Sequence, residues 1–230
     1  MINEIMEETC GARLTMNYMV PGGVMADIHP CFVQKVKGFI ASFKKHIDEY
    51  DELVTGNIIF QNRMKGIGVL SKEDAVSYGC TGPVGRGSGV NCDIRKLYPY
   101  EVYNQIQFDE VIETAGDSFA RYLVRLREMK QSVRIIEQLI DGIPEGVFKA
   151  KTKAVLKLPK GEFYSRVETA RGELGVYIVS EGGTTPYRIK FRSPGFSNLS
   201  ALDHMVRGSK IGDLMATMGT LDLVIPDIDR

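Results

Sequence analysis

The sequence carries no surplus of charge of either sign: its 230 residues hold 29 Lys and Arg against 29 Asp and Glu. A nucleic-acid interface needs a cationic face that displaces counterions from phosphates, so a nucleic-acid partner is not expected. No apolar run approaches the roughly 18 residues that span a bilayer. The stretch Leu221 to Ile225, aliphatic except for Asp222, is only strand-sized. No secretory leader is legible either, because MINEIMEETC opens on acidic residues rather than a basic segment and an apolar core. A CxxC pair is lacking too. Cys10, Cys31, Cys80 and Cys92 are dispersed and read as reduced, partly buried thiols. His29, His46 and His204 share no metal-ligand spacing, and no Ser/His/Asp set or pair of glycosidase acids stands out. No metal site follows from these residues.

What is present is an ordinary globular balance, 43% hydrophobic and 25% charged, enough for a substantial core. Met1 to Cys10 has helical spacing without preceding residues to cap it, the pattern of a chain that starts inside a helix. Residues 17–30 read as a loop around Pro21, Gly22 and Gly23. From Phe32 apolar residues recur at spacings of three and four to about Thr55. Shorter helices are expected over 57–64 and 71–79, the latter opening on a Ser-capped signature. Residues 109–141 carry the strongest helical stripe, with Arg121, Arg125, Arg127 and Arg134 read as a solvated face. After Lys157 the period changes to two: EFYSRVET and ELGVYIVSE form a hairpin and PYRIKFRS follows. Alternation sets Arg188, Lys190 and Arg192 on one face, with Glu168 and Glu173 as charge partners. A last helix spans about 198–218. The fold class is therefore mainly α with a small antiparallel β-sheet (α+β). A single domain is expected: 1–157 mostly helical, 158–197 antiparallel β, and 198–230 a helix plus a buried C-terminal segment.

The stretch GPVGRGSG invites a phosphate-binding reading, but neither a preceding buried strand nor a GK[ST] accompanies it. Gly82, Arg86, Gly87 and Gly89 read instead as a structural or partner-facing loop in which backbones approach closely. The terminus GTLDLVIPDIDR is unusual for a chain end, with three aspartates set among aliphatic residues.

Four blocks carry a family resemblance: GPVGRGSGVNCDIRKLYPYEVY, DSFARYLVRLREMKQSVRII, GELGVYIVSEGGTTPYRIKFRSPGF and GTLDLVIPDIDR. In that order, along essentially the whole chain, they resemble the D subunit of NADH-quinone oxidoreductase, the large peripheral-arm member of respiratory complex I. That family is related to nickel–iron hydrogenase large subunits, and the resemblance implies their fold. The hydrogenases hold nickel and iron with two CxxC pairs. Here LDLVIPDIDR has no cysteine, so a nickel–iron centre is not expected and a cavity takes its place.

The resemblance implies a quinone cavity touched by Asp222 and Val224, with Arg230 and Thr15 near the terminal cluster of an iron–sulfur partner subunit. Pro226 and Asp227 replace an expected Gly-Glu pair. Thr15 stands where many members carry a histidine, and a threonine does not titrate near neutral pH. Cys92 stands where tryptophan is frequent, and the HPxxHG-type region that binds quinone in the family is absent. The chain thus resembles the C-terminal part of a longer subunit. It would bind no cofactor itself and take quinone as substrate. NADH, FMN and iron–sulfur clusters would sit on partners, namely the iron–sulfur subunit and other peripheral-arm subunits, with the membrane arm reached indirectly. The expected place is peripheral, on the cytoplasmic face of the inner (plasma) membrane. Two readings remain beside it: a cysteine-less hydrogenase-type or other donor:quinone dehydrogenase subunit, and a non-catalytic scaffold.

Overall fold

The computed structural model describes residues 1–153 and 155–229. Helix α1 (Ile2–Cys10) ends at Gly11, whose φ of 75° is the left-handed stop that glycine supplies freely. A narrow ribbon, β1 (Met19–Val20) with β2 (Gly23–Val24), turns around Pro21 and Gly22 where a plain loop was expected. Helix α2 (Phe32–Tyr50) runs into a π-helical turn over Asp51–Thr55. The caps fix two short helices as the sequence implies. The Asn57 side chain accepts from the N–H groups of Ile59 and Phe60 to start α3 (Ile58–Met64). Ser71 accepts from the N–H of Asp74 to start α4 (Lys72–Ser77).

Three expectations need correction. The glycine-rich stretch is not a loop: Gly82–Gly87 form helix α5, with every residue buried. After α6 (Ile94–Leu97), the long helix α7 covers Ser118–Leu139 rather than 109–141. Gly116 at φ 69° cannot continue a right-handed helix, and the Asp117 carboxylate accepts from the Ala120 N–H to begin a new one. The final helix is broken into α8 (Pro194–Ser200), α9 (Leu202–Val206) and α10 (Ile211–Leu221). Ser193 and Pro194 start α8 by capping, and Gly208 at φ 77° opens the gap before α10. Helix α11 (Ile225–Ile228) follows; Leu223, Val224, Asp227 and Ile228 are half-buried, and Ile225 is 72% exposed.

Strands β3 (Gly161–Thr169), β4 (Gly172–Ser180) and β5 (Arg188–Arg192) form an antiparallel sheet in chain order. Two clusters make the core. Ile5, Val36, Ile40, Ile47 and Val133 join α1, α2 and α7. Leu70, Ala75, Val84, Met205 and Leu221 gather under α4, α5, α9 and α10.

Helix α7 faces both clusters, and Arg121 fastens it. This side chain is fully buried and donates to the Gly116 and Gly68 carbonyls, to Ser118 Oγ and to Thr220 Oγ1, at 2.9–3.0 Å. Among the described residues no carboxylate accepts from it. Burial, with Arg125 adding repulsion, pushes its ionisation down to about 10. The solvated-face reading thus fails for Arg121. It holds for Arg127 and Arg134, which form exposed pairs with Glu113 and Asp109.

Close approach explains the glycines of α5. A Cβ on Gly87 would sit 2.9 Å from Arg121 Cγ, and one on Gly82 would sit 2.5 Å from the Arg171 carbonyl oxygen. Gly89 shares the positive φ of Gly82, at 80° against 65°, yet its nearest neighbour would be 3.7 Å away. Gly89→Ala should therefore lose only about 1 kcal/mol for the left-handed backbone. Gly82→Ala should lose about 3 kcal/mol or more, since it adds a backbone clash. Urea titrations followed by circular dichroism will show the gap, and equal losses would refute the close-packing account.

The thiols give a second test. Cys80 is buried, and burial pushes its ionisation up to about 11, whereas Cys31 is exposed. Iodoacetamide at about pH 8 should label Cys31 within minutes and Cys80 only on unfolding, as read by peptide mass spectrometry.

Candidate functional site

The site grows from an arginine that the glycine-rich helix delivers to the interior. Arg86 lies on α5 with 2% of its side chain exposed. Its Nε donates to Glu128 Oε1 on α7 at 2.8 Å, and its Nη1 donates to Glu168 Oε1 on β3 at 2.8 Å and to the Cys92 carbonyl at 3.1 Å. The second oxygen of Glu168 accepts from the Ile94 N–H at 3.2 Å, at the start of α6. One guanidinium so joins α5, α7, β3 and the approach to α6. Glu168 is therefore not the partner of the β5 cations. Arg192 of β5 instead donates to the Glu173 and Gly79 carbonyls at 2.6 and 2.7 Å, and the Glu173 carboxylate faces Arg166.

Beside it, Asp93 caps α6 and holds Arg95 through Nε at 2.9 Å and Nη2 at 2.6 Å. The Arg95 guanidinium lies over the rings of Phe108 and Tyr103, 4.8 and 5.9 Å from their centroids. Burial works against both charges of this pair. Each outweighs it for the other, so the Asp93 carboxyl ionises below its usual range and Arg95 holds its proton above its own. Glu128 differs. Burial pushes it upward, and the opposing pull of Arg86 is shared with Glu168, so its ionisation stays raised.

These charges form one wall of a cavity of about 450 Å³. Arg86, Arg95, Arg125, Glu128, Glu168 and Asp222 contribute polar groups to its lining, and Phe39, Phe43, Met129, Val133 and Ile136 apolar surface. A cleft of this size with convergent polar groups on one side and aromatic surface on the other is the ordinary form of a small-molecule site. Asp222 takes the left-handed conformation (φ 54°, ψ 54°) that ends α10. Arg171 fixes it, donating from Nε to the Asp222 carbonyl at 2.9 Å and from Nη2 to Oδ1 at 3.3 Å.

Of the residues singled out in the sequence, Arg86 and Asp222 meet on this cavity. Gly82, Gly87 and Gly89 do not line it; Gly82 and Gly87 position Arg86 by letting α5 approach β4 and α7. Val224 is half-buried at the start of α11 and off the cavity wall. Thr15 is exposed, at φ 52°, with its hydroxyl donating to the Leu14 carbonyl, also away from the cavity. Arg230 lies outside the described residues. Among the described residues no group of three or more His, Cys, Asp or Glu is gathered so as to hold a metal ion.

Arg95, Arg125, Glu128 and Glu168 belong to the site but escaped the sequence. Arg121, Arg125 and Glu128 lie on one flank of α7 by helical spacing, next to its apolar stripe. Acids and bases on a flank of this kind signal an internal ion-pair layer as much as a solvated face.

The family model described as "Respiratory-chain NADH dehydrogenase, 49 Kd subunit" matches residues 1–157 and 147–230. A protein of Bacteroides thetaiotaomicron, named as the C/D subunit of NADH-quinone oxidoreductase, is 55% identical over 229 residues, covering 100% of this chain and 43% of that protein. The D subunit of NADH-quinone oxidoreductase from Desulfotalea psychrophila is 48% identical, covering 100% of this chain and 62% of that protein. Among solved structures, a chain of the membrane-bound sulfane sulfur reductase, an archaeal respiratory membrane complex, superposes with a TM-score of 0.92 at 36% identity. It covers 99% of this chain and 63% of that one. The chain therefore spans about two-fifths to three-fifths of the length of these relatives.

Arg86→Met should expose how the buried charges depend on one another. Both carboxylates would lose their cation, at about 3–5 kcal/mol near pH 7. A carboxyl whose folded ionisation is raised stabilises the fold below its unfolded value, and that contribution fades as pH rises through the folded value. Removing Arg86 pushes Glu128 higher still, so the variant's deficit against the wild type should shrink as pH falls from 7 toward the unfolded value of 4.5. Urea unfolding at several pH values measures this, and a deficit independent of pH would refute the ion-pair account.

Proposed function

Because the chain belongs to the family of the 49 kDa subunit of respiratory-chain NADH dehydrogenase, we propose that it forms part of the quinone-reducing core of a proton-translocating NADH:quinone oxidoreductase. Electrons from NADH would reach it through FMN and iron–sulfur clusters on partner subunits, and this chain would bind no redox group of its own. Its share of the work is electrostatic: it shapes a cavity and sets fixed charges against an acceptor whose oxygens gain negative charge on reduction. The observation that carries the reading is the cavity that Asp222 and Arg86 line together with further charged groups and with Phe39 and Phe43. A flat quinone ring suits the wall of Phe39 and Phe43, and its oxygens suit the opposite side.

None of the described helices is long and apolar enough to cross a membrane. A place at the membrane would come through other subunits, with the iron–sulfur partner and the remaining peripheral-arm subunits on the faces that expose Ile211 at 86% and Ile225 at 72%. The cytoplasmic face of the inner membrane is the expected side. Isolated from those partners the chain should show no quinone reductase activity.

A second reading has a specific observation behind it. The TM-score of 0.92 to a chain of a sulfane sulfur reductase supports a reading in which the same scaffold serves another terminal acceptor. The 55% identity to proteins named NADH-quinone oxidoreductase favours quinone here.

Asp222→Asn, made in the complete subunit within its membrane complex, should lower NADH:quinone reduction roughly tenfold, the equivalent of about 1.4 kcal/mol. NADH:ferricyanide reduction should fall far less. Equal loss of both activities would mean failed assembly, and equal retention of both would remove Asp222 from the site.

A further inference from the structure

We propose that Glu128 is the acid that gives a proton to a quinone oxygen in this cavity as the acceptor is reduced. The proposal rests on the quinone reading above and adds to it the group that completes the chemistry. Three carboxylates line the cavity, and their hydrogen bonds set them apart. Both oxygens of Glu168 are engaged, by Arg86 and by the Ile94 N–H, and 4% of its side chain is exposed. Asp222 is gripped by Arg171 through its carbonyl and its Oδ1. Glu128 meets Arg86 through Oε1 alone, at 2.8 Å from Nε and 2.7 Å from Nη2, and 20% of its side chain is exposed. No donor among the described residues reaches its Oε2. Nor does Oε2 belong with Ser88 Oγ, Arg125 Nη2 and Asp213 Oδ1, the side-chain atoms sealed from solvent without a partner. One oxygen of Glu128 is thus anchored in the protein, and the other is left to the cavity that this side chain lines.

The surroundings favour the protonated form of this acid more than water does. Burial comes first and Asp93 acts in the same direction, while Arg86 and Arg95 pull against them, and the ionisation stays raised. The other titrating or charged groups on the cavity are Glu168 from β3, Tyr103 from the segment before α7, Arg125 from α7 itself and Asp222 from the end of α10. Helix α2 brings only Phe39 and Phe43 to the cavity. A quinone that has taken two electrons, supplied in the quinone reading by clusters on partner subunits, needs two protons to become a quinol. In the proposed step the O–H bond at Oε2 breaks and an O–H bond forms on the quinone oxygen. The carboxylate left behind is already held at Oε1 by Arg86, which steadies it as the proton departs. Water entering the cavity returns a proton to Glu128 and supplies the second one to the quinone.

The test uses the complete subunit in its membrane complex, with a short-chain ubiquinone as acceptor. Ferricyanide reduction reports whether the complex has assembled. Glutamine keeps an acceptor for Arg86 but has no proton to give, so Glu128→Gln should lower kcat for quinone about a hundredfold with little change in KM. Glu128→Asp should recover part of the loss. Because the acid must carry its proton to donate it, the wild-type rate should fall as pH rises through the ionisation of Glu128, and this alkaline limb should vanish in Glu128→Gln. An unchanged kcat, or an alkaline limb that survives in assembled Glu128→Gln, would overturn the proposal while leaving the quinone reading intact; a wild-type complex that reduces no quinone would overturn that reading instead. Should the variants not assemble, a hydrophobic carbodiimide, which adds to protonated carboxyls, decides on the wild-type complex. An adduct at Glu128 that excess quinone suppresses, as read by peptide mass spectrometry, supports the proposal. No adduct there, or one that quinone leaves untouched, refutes it.

Discussion

The fold turns on one buried guanidinium. Arg86 reaches the interior because α5 is built almost entirely of glycine and small residues, and it engages an acid from the long helix and an acid from the sheet together. Removing a charge from water is strongly unfavourable, and the pairing repays it only if the geometry is fixed by the surrounding backbone. That condition runs in both directions. The ion pairs hold α5, α7 and β3 in register, and the close packing of Gly82 and Gly87 against β4 and α7 holds the ion pairs. Hydrophobic burial supplies most of the stability, in one cluster to which α7 contributes Leu126 and Val133 and a second carried in part by α5 and α10, against which α7 packs. The charge layer between them decides which arrangement of those clusters is allowed.

Arg121 and Arg86 solve the same problem by different means. Arg121 is surrounded by neutral carbonyl and hydroxyl oxygens and holds its proton less firmly than a free arginine; Arg86 is paired with two carboxylates and holds its proton more firmly, despite burial. The first arrangement suits a structural rivet, because it leaves no acid to titrate. The second suits a site, because Glu128 remains sensitive to whatever changes the charge nearby. One helix, one turn apart, presents Arg121 to the core and Arg125 to the cavity.

Much of this was legible in the sequence, and the failures have a common cause. Local signals worked where local physics decides: Gly11 ends α1, Asn57 and Ser71 cap their helices, and period two marks β3, β4 and β5. Long-range contacts defeated it. Gly82–Gly87 looked like a loop because isolated glycines rarely sustain a helix. Here the helix is imposed by burial against α7 and β4, where no Cβ would fit. Arg121 and Arg125 looked solvated because arginine usually is, and nothing local distinguishes a guanidinium that finds Gly68, Gly116 and Thr220 from one that finds water. The family resemblance placed Asp222 at a cavity, and the geometry adds Arg86 and Arg125 to the same wall. The same resemblance placed Val224 at the cavity, and it does not line this one.

A folded chain seldom leaves buried polar atoms open, and among the described residues Ser88 Oγ, Arg125 Nη2 and Asp213 Oδ1 are buried without a hydrogen-bond partner. Arg125 could have been satisfied cheaply, since Asp222 is close enough to be its main favourable charge. Arg171 prevents that by gripping Asp222 through both its carbonyl and its carboxylate, in a left-handed conformation that residues other than glycine seldom adopt. The strain at Asp222 and the open donor at Arg125 are therefore two sides of one arrangement. A scaffold organised in this way fixes where negative charge is welcome without fixing what brings it. The backbone sets the field, and the groups that fill the cavity set the chemistry.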